Sequence, residues 1–392
     1  MEKFDKEFSK SRRSGSVVQN LSGELAYYSF KPSPLPPLPS IEISQEMMAL
    51  LIEANRKVAY LDASSDKIPN VNLFSSMYIR KEALLSSQIE GTQCTLDDVL
   101  DPENEENANI DVGEVINYIG ATDFAIDRLE KLPLCMRLLK ETHAVLIKGV
   151  RGSDKTPGEF RTSQNWIGGQ GSSLKNARYI PPSVDDMKIA LNQLEQFMNS
   201  DDRLDPLIQA ALIHYQFETI HPFLDGNGRI GRLLITLFLL QKKIISKPIL
   251  YISCFLKINR VEYYDRLSEV RRSGNYEQWI FFFLQMILET ANDAIDSIND
   301  LEDLHRKNMA WIETIPPRTR GNALKLFEYI EAKAIIDTTK TAADLGLSYN
   351  TTAKMIETLH RYGILEPSAK RGKASLYSYT DYLAILRRGT EL

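Results

Sequence analysis

Twelve consecutive residues, HPFLDGNGRIGR at positions 221–232, bring together a histidine, an acid, an amide, three glycines and two arginines. Gly226, Gly228 and Gly231 let the backbone come close to a ligand and adopt positive φ. A glycine-punctuated loop that feeds a helix gathers unpaired N–H groups around an anion. Arg229 and Arg232 fall in the first turn of that helix and can grip phosphate oxygens in bidentate fashion. Asp225 is out of place among phosphates unless a divalent cation lies between, and Mg²⁺ takes one carboxylate plus phosphate oxygens. Asn227 offers a neutral donor to a phosphate oxygen. His221, with an ordinary pKa near neutrality, is the natural general base for a hydroxyl nucleophile. Each piece alone is common: a histidine before proline, a GNG turn, a surface arginine. All of them within a dozen residues point to phosphate-transfer chemistry on a Mg²⁺-bound nucleotide, and the chain holds no GxxxxGK[ST] run that would make this a P-loop.

Elements must hold that bend in place, and the sequence supplies mostly helices. The apolar run LLITLFLL at 233–240 continues the motif as a buried helix. Helical periodicity also marks 41–57, 72–89 (stopped by Gly91), 112–129, 135–146, 185–199 and 206–219, and it resumes beyond the motif to about position 307. Residues 149–182 are broken by Gly and Pro and read as a short β-hairpin. KPSPLPPLPS at 31–40 reads as an extended surface strap, and DPENEENANID at 101–111 as an acidic surface loop with no function of its own.

From there the pattern changes. Residues 341–380 give a short helix, a glycine turn, a longer helix and strands around a basic tip, the order of a winged helix-turn-helix, with a boundary near TIPPRTR at 314–320. The division expected is an N-terminal arm and helical region over 1–110, a helical core over 111–307 and a winged-helix domain over 308–392. A recognition helix over 349–362 would carry Lys354, His360 and Arg361 but also Glu357, with Lys370, Arg371 and Lys373 at the wing tip. These cations could neutralise DNA phosphates, although winged helices also serve as dimer or protein-docking modules.

Composition narrows the class. A net charge of −5, with 43% hydrophobic and 25% charged residues, fits a globular protein and argues against a wholesale nucleic-acid binder. Cys94, Cys135 and Cys254 are odd in number and far apart, so neither a disulfide framework nor a CxxC metal pair is expected. The polar start MEKFDKEFSKSRRSG does not read as a secretory signal, and no stretch is long and apolar enough to span a bilayer. A cytoplasmic location with no membrane partner is the expectation. His143, His214, His305 and His360 show no metal-ligand spacing, and His214 reads as a core residue beside the site.

HPFLDGNGRIGR resembles the Fic-family motif HxFx(D/E)GNGRxxR at every specified position, and HYQFETI before it and NRVEYYDRL after it are also similar to that family. The resemblance covers roughly residues 32–287. It implies an all-α bundle with a small β-hairpin flap, and transfer of AMP from ATP to a Ser, Thr or Tyr hydroxyl of a target protein or of the protein itself. Carried over, His221 would deprotonate the hydroxyl, Phe223 would anchor the loop in the core and Asp225 would hold Mg²⁺. Gly226, Asn227 and Gly228 would cradle phosphates, Arg229 would support them and Arg232 would bind the γ-phosphate end. Ala177, Arg178 and Tyr179 in ARYIPP resemble the flap, and Tyr263 either lines a nucleoside pocket or packs in the core. SSQIEG at 86–91 resembles the inhibitory motif [S/T]xxxE[G/N] through Ser86, Glu90 and Gly91, on a helix of about 72–91. The resemblance implies that Glu90 pairs with Arg232 and blocks the γ-phosphate, and a homodimer that tunes this lock is compatible with it. Two other readings stay open: a nucleotide-sensing DNA-binding regulator, and a transferase of another phosphate-containing group.

Overall fold

The computed structural model describes residues 12–65, 71–100, 109–169, 171–368 and 375–388. The wing tip with Lys370, Arg371 and Lys373, and most of the acidic loop after Leu100, lie outside the described residues.

The chain opens on an antiparallel pair, β1 (Gly15–Asn20) and β2 (Tyr27–Pro32), with Val17 opposite Phe30. Eight helices follow: α1 (Gln45–Ser65), α2 (Val71–Ile89), α3 (Leu96–Leu100), α4 (Ile110–Leu129), α5 (Met136–Leu146), α6 (Val184–Met198), α7 (Pro206–Ile220) and α8 (Asn227–Gln241). Next come α9 (Ser253–Ile258), α10 (Arg260–Ser273) and the long α11 (Tyr276–Ile312). The C-terminal part runs α12 (Pro317–Lys333), β3 (Ile335–Asp337), α13 (Thr338–Asp344), α14 (Tyr349–Arg361), β4 (Glu366–Pro367), β5 (Leu376–Ser378) and α15 (Thr380–Arg387), its sheet in the order β3-β5-β4. The fold is mostly α.

The centre of the bundle is α7. Asp205 caps it by accepting from the Leu207 N–H at 2.8 Å, Pro206 fits the first helical position, and every residue from Leu207 to Ile220 is buried. Its neighbour α8 carries the apolar run and is also buried over most of its length. A helix hydrophobic all round belongs in a core, so both ends of the glycine bend are fixed by packing. Around this pair, α11 packs along α1, α4 against α5, and α2 against α4 and α9.

Three expectations need adjusting. Among the described residues of 149–182 there is one antiparallel bridge, Ile167 with Tyr179, in place of a hairpin ladder, and the side chains of Arg161 and Asn165 tie this segment to the His221 carbonyl. The two-stranded ladder lies instead at the N-terminal arm, and β2 backs the bridge segment through the Phe30 N–H donated to the Ile180 carbonyl at 3.0 Å. The strap expected over 31–40 begins inside β2; beyond it, Arg13 donates to the Pro39 and Ser40 carbonyls and pairs with Glu277, tying the arm to α11. Helix α11 passes position 307 without a break and ends at Ile312, just before TIPPRTR.

Candidate active site

His221 stands at the end of α7 because the helix cannot continue through Pro222. The residue takes a left-handed conformation (φ 49°, ψ 61°) while its N–H still donates to the Phe217 carbonyl at 2.9 Å. That turn lifts the imidazole off the helix axis. Its carbonyl is gripped from the other side by Arg161 Nε at 3.1 Å and Asn165 Nδ2 at 3.2 Å. Burial first, then the nearby Arg271 and Arg161 cations, push the His221 pKa down to about 4, against the pull of Glu90. The ring is therefore neutral at pH 7, the form that accepts a proton.

The bend itself is braced from within. Asn227 accepts from the Phe223 N–H and donates to the Phe223 carbonyl, both at 2.8 Å. Its side chain closes the loop on itself. Phe223 is fully buried and stacks on His143 with ring centres 3.8 Å apart. His143 in turn bridges the Asp225 carbonyl at 3.0 Å and the Gly158 N–H at 3.0 Å; burial lowers its pKa to about 4. Gly226 then adopts φ 74° as the residue capping α8, so the first turn of that helix opens toward the cleft.

Two arginines project from that turn. Arg229 is 4% exposed, its Nε and Nη1 find no hydrogen-bond partner among the described residues, and Nη2 lies 3.8 Å from Asp225. A buried guanidinium with unspent donors calls for an anion. Asp225, with its side chain 41% exposed, accepts from the Gly226 N–H at 2.6 Å.

Arg232 is 1% exposed and held by α2 and the residue after it: Nε donates to Ser86 Oγ at 2.7 Å, and Nη2 to the Ser86 carbonyl and to Glu90 Oε1 at 2.8 Å each. Glu90 sits just beyond the end of α2, where Gly91 at φ 103° turns the chain away. Its Oε1 lies over the bare Cα of Gly228: an added Cβ would come within 2.2 Å. Burial would raise the Glu90 pKa, but Arg232, then Arg229 and His221, hold it below the usual carboxylate range.

His221, Gly228, Arg232 and Glu90 line a cleft of about 430 Å³ whose other walls include Trp166, Arg178, Tyr179, Glu218, Arg260, Tyr263 and Tyr264. Ala177 and Tyr179 are buried, with the Tyr179 hydroxyl donating to the Thr219 carbonyl at 2.8 Å and Arg271 4.0 Å over its ring. Arg178 is exposed and pairs with Asp265 at 3.0 Å. Tyr263 is buried and borders the cleft, and its hydroxyl bonds His214 Nε2 at 2.8 Å, whose Nδ1 bonds the Gly231 carbonyl at 2.8 Å. His214 is thus a core residue that ties α7, α8 and α10 together.

Sequence reasoning missed Arg161, Asn165, Arg271, His143 and Glu218. The first four act through backbone carbonyls and rings brought together from distant segments, which no spacing signals. Glu218, three residues before His221, was visible only as one more polar position in an apolar run.

Residues 48–127 match the family described as Fic/DOC family N-terminal, and residues 133–239 match the one described as Fic/DOC family. The protein named Protein adenylyltransferase Fic from Drosophila grimshawi is 25% identical over 299 residues, 75% of this chain and 54% of that protein. The Aedes aegypti protein of the same name is 32% identical over 220 residues, 54% of this chain and 38% of that protein. The chain thus spans about half or less of the length of these relatives. A crystal structure of a Fic family protein from Desulfovibrio desulfuricans G20 superposes with a TM-score of 0.54 at 18% identity, covering 86% of this chain and 97% of that one, a likeness of fold. Both family regions occur in order along the chain, and the second, a Fic/DOC family region, contains the whole glycine bend.

Proposed function

We propose that this protein transfers AMP from ATP to a hydroxyl side chain of a protein, a separate target or itself, and that Glu90 holds the activity in check. One observation carries the reading: neutral His221 stands beside a helix N-terminus whose anion-seeking face is occupied by a carboxylate from just beyond the end of α2, Glu90, bonded to Arg232 at 2.8 Å. The name Protein adenylyltransferase Fic given to the Drosophila and Aedes relatives supports the same activity.

In the reaction, the hydroxyl oxygen attacks the α-phosphorus, the α–β phosphoanhydride bond breaks and pyrophosphate leaves, while His221 takes the hydroxyl proton. The protein supplies position and charge: N–H groups at the start of α8, the open donors of Arg229, and Arg232 once Glu90 withdraws. Asp225 would hold the Mg²⁺ that accompanies ATP. The fit is chemical: no cluster of three His, Cys, Asp or Glu exists among the described residues, and Mg²⁺, unlike cations that need a protein cage, takes one carboxylate with water and phosphate oxygens. When bound, that ion neutralises phosphate charge.

Intact mass of the Glu90→Gly protein after incubation with Mg²⁺ and ATP tests the reading. A shift by one AMP, on itself or on an added target, is expected. A phosphate-sized shift would instead favour a phosphotransferase, and no shift on any protein would remove the proposal.

The order α12, β3, α13, α14, β4, β5 supports a winged helix. Lys354 and Arg361 are exposed on α14, but so is Glu357, a mixed face that suits a protein surface, such as a second copy of this chain, better than duplex DNA. Salt-sensitive retention of DNA by the full chain would reverse that preference. Cys94, Cys135 and Cys254 form no disulfide, and no helix among the described residues is long and apolar enough to cross a membrane, in keeping with the cytoplasmic location proposed here.

A further inference from the structure

A cleft built to bind anions should not contain a spare carboxylate, yet Glu218 lines it. The side chain leaves α7 one turn before His221 and lies against α8 at Gly231, where an added Cβ would come within 2.2 Å of Oε1. It is 6% exposed, and Oε1 has no hydrogen-bond partner among the described residues. Arg232 does not account for it, because the bonds of that guanidinium run to Ser86 and Glu90. A buried polar atom left open at a cleft wall calls for a donor from a ligand.

Position selects which donor. Glu218 lies close both to Arg232, which with Gly228 marks the end that takes phosphates, and to the mutually tilted rings of Tyr263 and Tyr264, against which a base can pack. Phosphates offer no donor and repel a carboxylate. The part of a nucleotide between base and phosphates is the sugar, which carries neutral hydroxyls. We infer that Glu218 hydrogen-bonds a ribose hydroxyl of the bound nucleotide and so makes the site selective for ribonucleotides. This rests on the nucleotide-transfer reading above. Burial, with Glu90 nearby, pushes the Glu218 pKa up to about 7 against Arg232 and Arg271, so near neutrality the carboxyl exists in both forms. A hydroxyl can donate to one form and accept from the other, and so satisfies both.

The test uses the full chain carrying Glu90→Gly, with kcat/KM for nucleotide transfer measured for ATP, 2′-deoxy-ATP and 3′-deoxy-ATP. Glu218→Gln and Glu218→Ala are added in that background, with thermal melts to confirm folding. With Glu218 present, one deoxy analogue is expected to be poorer than ATP by roughly tenfold or more. In Glu218→Ala the ratio of ATP to that analogue should collapse toward one, while the isosteric Gln retains part of it. Equal rates with ATP and both analogues in the presence of Glu218, or a ratio unchanged by either substitution, overturns the inference while leaving the transfer reading standing. No transfer from ATP at all in Glu90→Gly removes both.

Discussion

Arg232 and Glu90 meet across two helices at 2.8 Å, and the carboxylate oxygen that closes this pair also covers the bare Cα of Gly228 at the start of α8. One side chain therefore blocks two donors at once, a guanidinium and a helix N-terminus, and both would serve the same phosphates. Ser86 contributes the rest of the hold on Arg232 through its hydroxyl and carbonyl, so removing Glu90 leaves the arginine anchored and in place.

The first prediction follows from that geometry. Glu90 is 38% exposed, so the pair is partly screened by solvent, and a hydrogen bond to a charged group is worth about 1.5–3 kcal/mol. Glu90→Gly should raise the rate of AMP transfer roughly 10- to 150-fold over the parent protein. Labelled-ATP incorporation measures it, and a rate within twofold of the parent would mean that this carboxylate is no lock.

A second prediction concerns Asn227. Its amide holds Phe223 through two bonds of 2.8 Å, and both partners are buried. Asn227→Ala in the Glu90→Gly background should cost about 1–3 kcal/mol of local stability and weaken ATP binding by loosening the bend. Calorimetric titration with Mg²⁺ and ATP checks this; unchanged affinity would show that the bend keeps its shape without the amide.

The pH dependence of transfer provides a third. Because burial, Arg271 and Arg161 lower the His221 pKa to about 4, the base form persists well below pH 6.5. Glu90 raises that pKa, so its removal moves the limb further down. In Glu90→Gly, kcat/KM should keep its His221-dependent activity down to about pH 4 and below, while any step belonging to Glu218, lowered from about 7 once Glu90 is gone, should be absent from Glu218→Gln. An acid limb at about 6.5 that survives Glu218→Gln contradicts this assignment.

Stability should fall on the acid side for a related reason. His143 and His214 are buried, and burial lowers their pKa values to about 4 and about 3. In the unfolded chain each returns to roughly 6.5, so below that pH the unfolded state binds more protons than the folded one. The contribution of both is fully present above pH 6.5 and is lost as pH falls from there toward 3–4. The slope approaches about 2.7 kcal/mol per pH unit for the two together. Urea midpoints between pH 7.5 and 4.5 report it, and a midpoint that does not move over that range would rule it out.

Much of this site was legible before any coordinates. The spacing from His221 to Arg232 carried the chemistry, because a bend between two buried helices needs its glycines, acid and arginines consecutive in the chain. The contact of Ser86 and Glu90 with Arg232 was legible through Ser86, Glu90 and Gly91, since a helix end is also local. What stayed hidden is what arrives from elsewhere: His143 under Phe223, Arg161 and Asn165 on the His221 carbonyl, and Glu218 against Gly231. The bonds from Asn227 to Phe223 were not legible, because its type suits a phosphate as well as a backbone and only the closeness of Phe223 reveals them. At the fold level, helical periodicity placed most helices to within a few residues. The β1–β2 pair escaped because six-residue strands beside a proline strap give little alternation to read.

The most direct test pairs Glu90→Gly with Glu90→Gly/His221→Ala, following Mg²⁺-ATP binding by calorimetry and AMP incorporation by intact mass. The account predicts that both proteins bind ATP with similar affinity, that the first becomes AMP-labelled, and that the second loses transfer by roughly 10²- to 10⁴-fold. Transfer that persists in the double variant at the rate of the single one, or an unlocked protein that does not bind ATP, would contradict it.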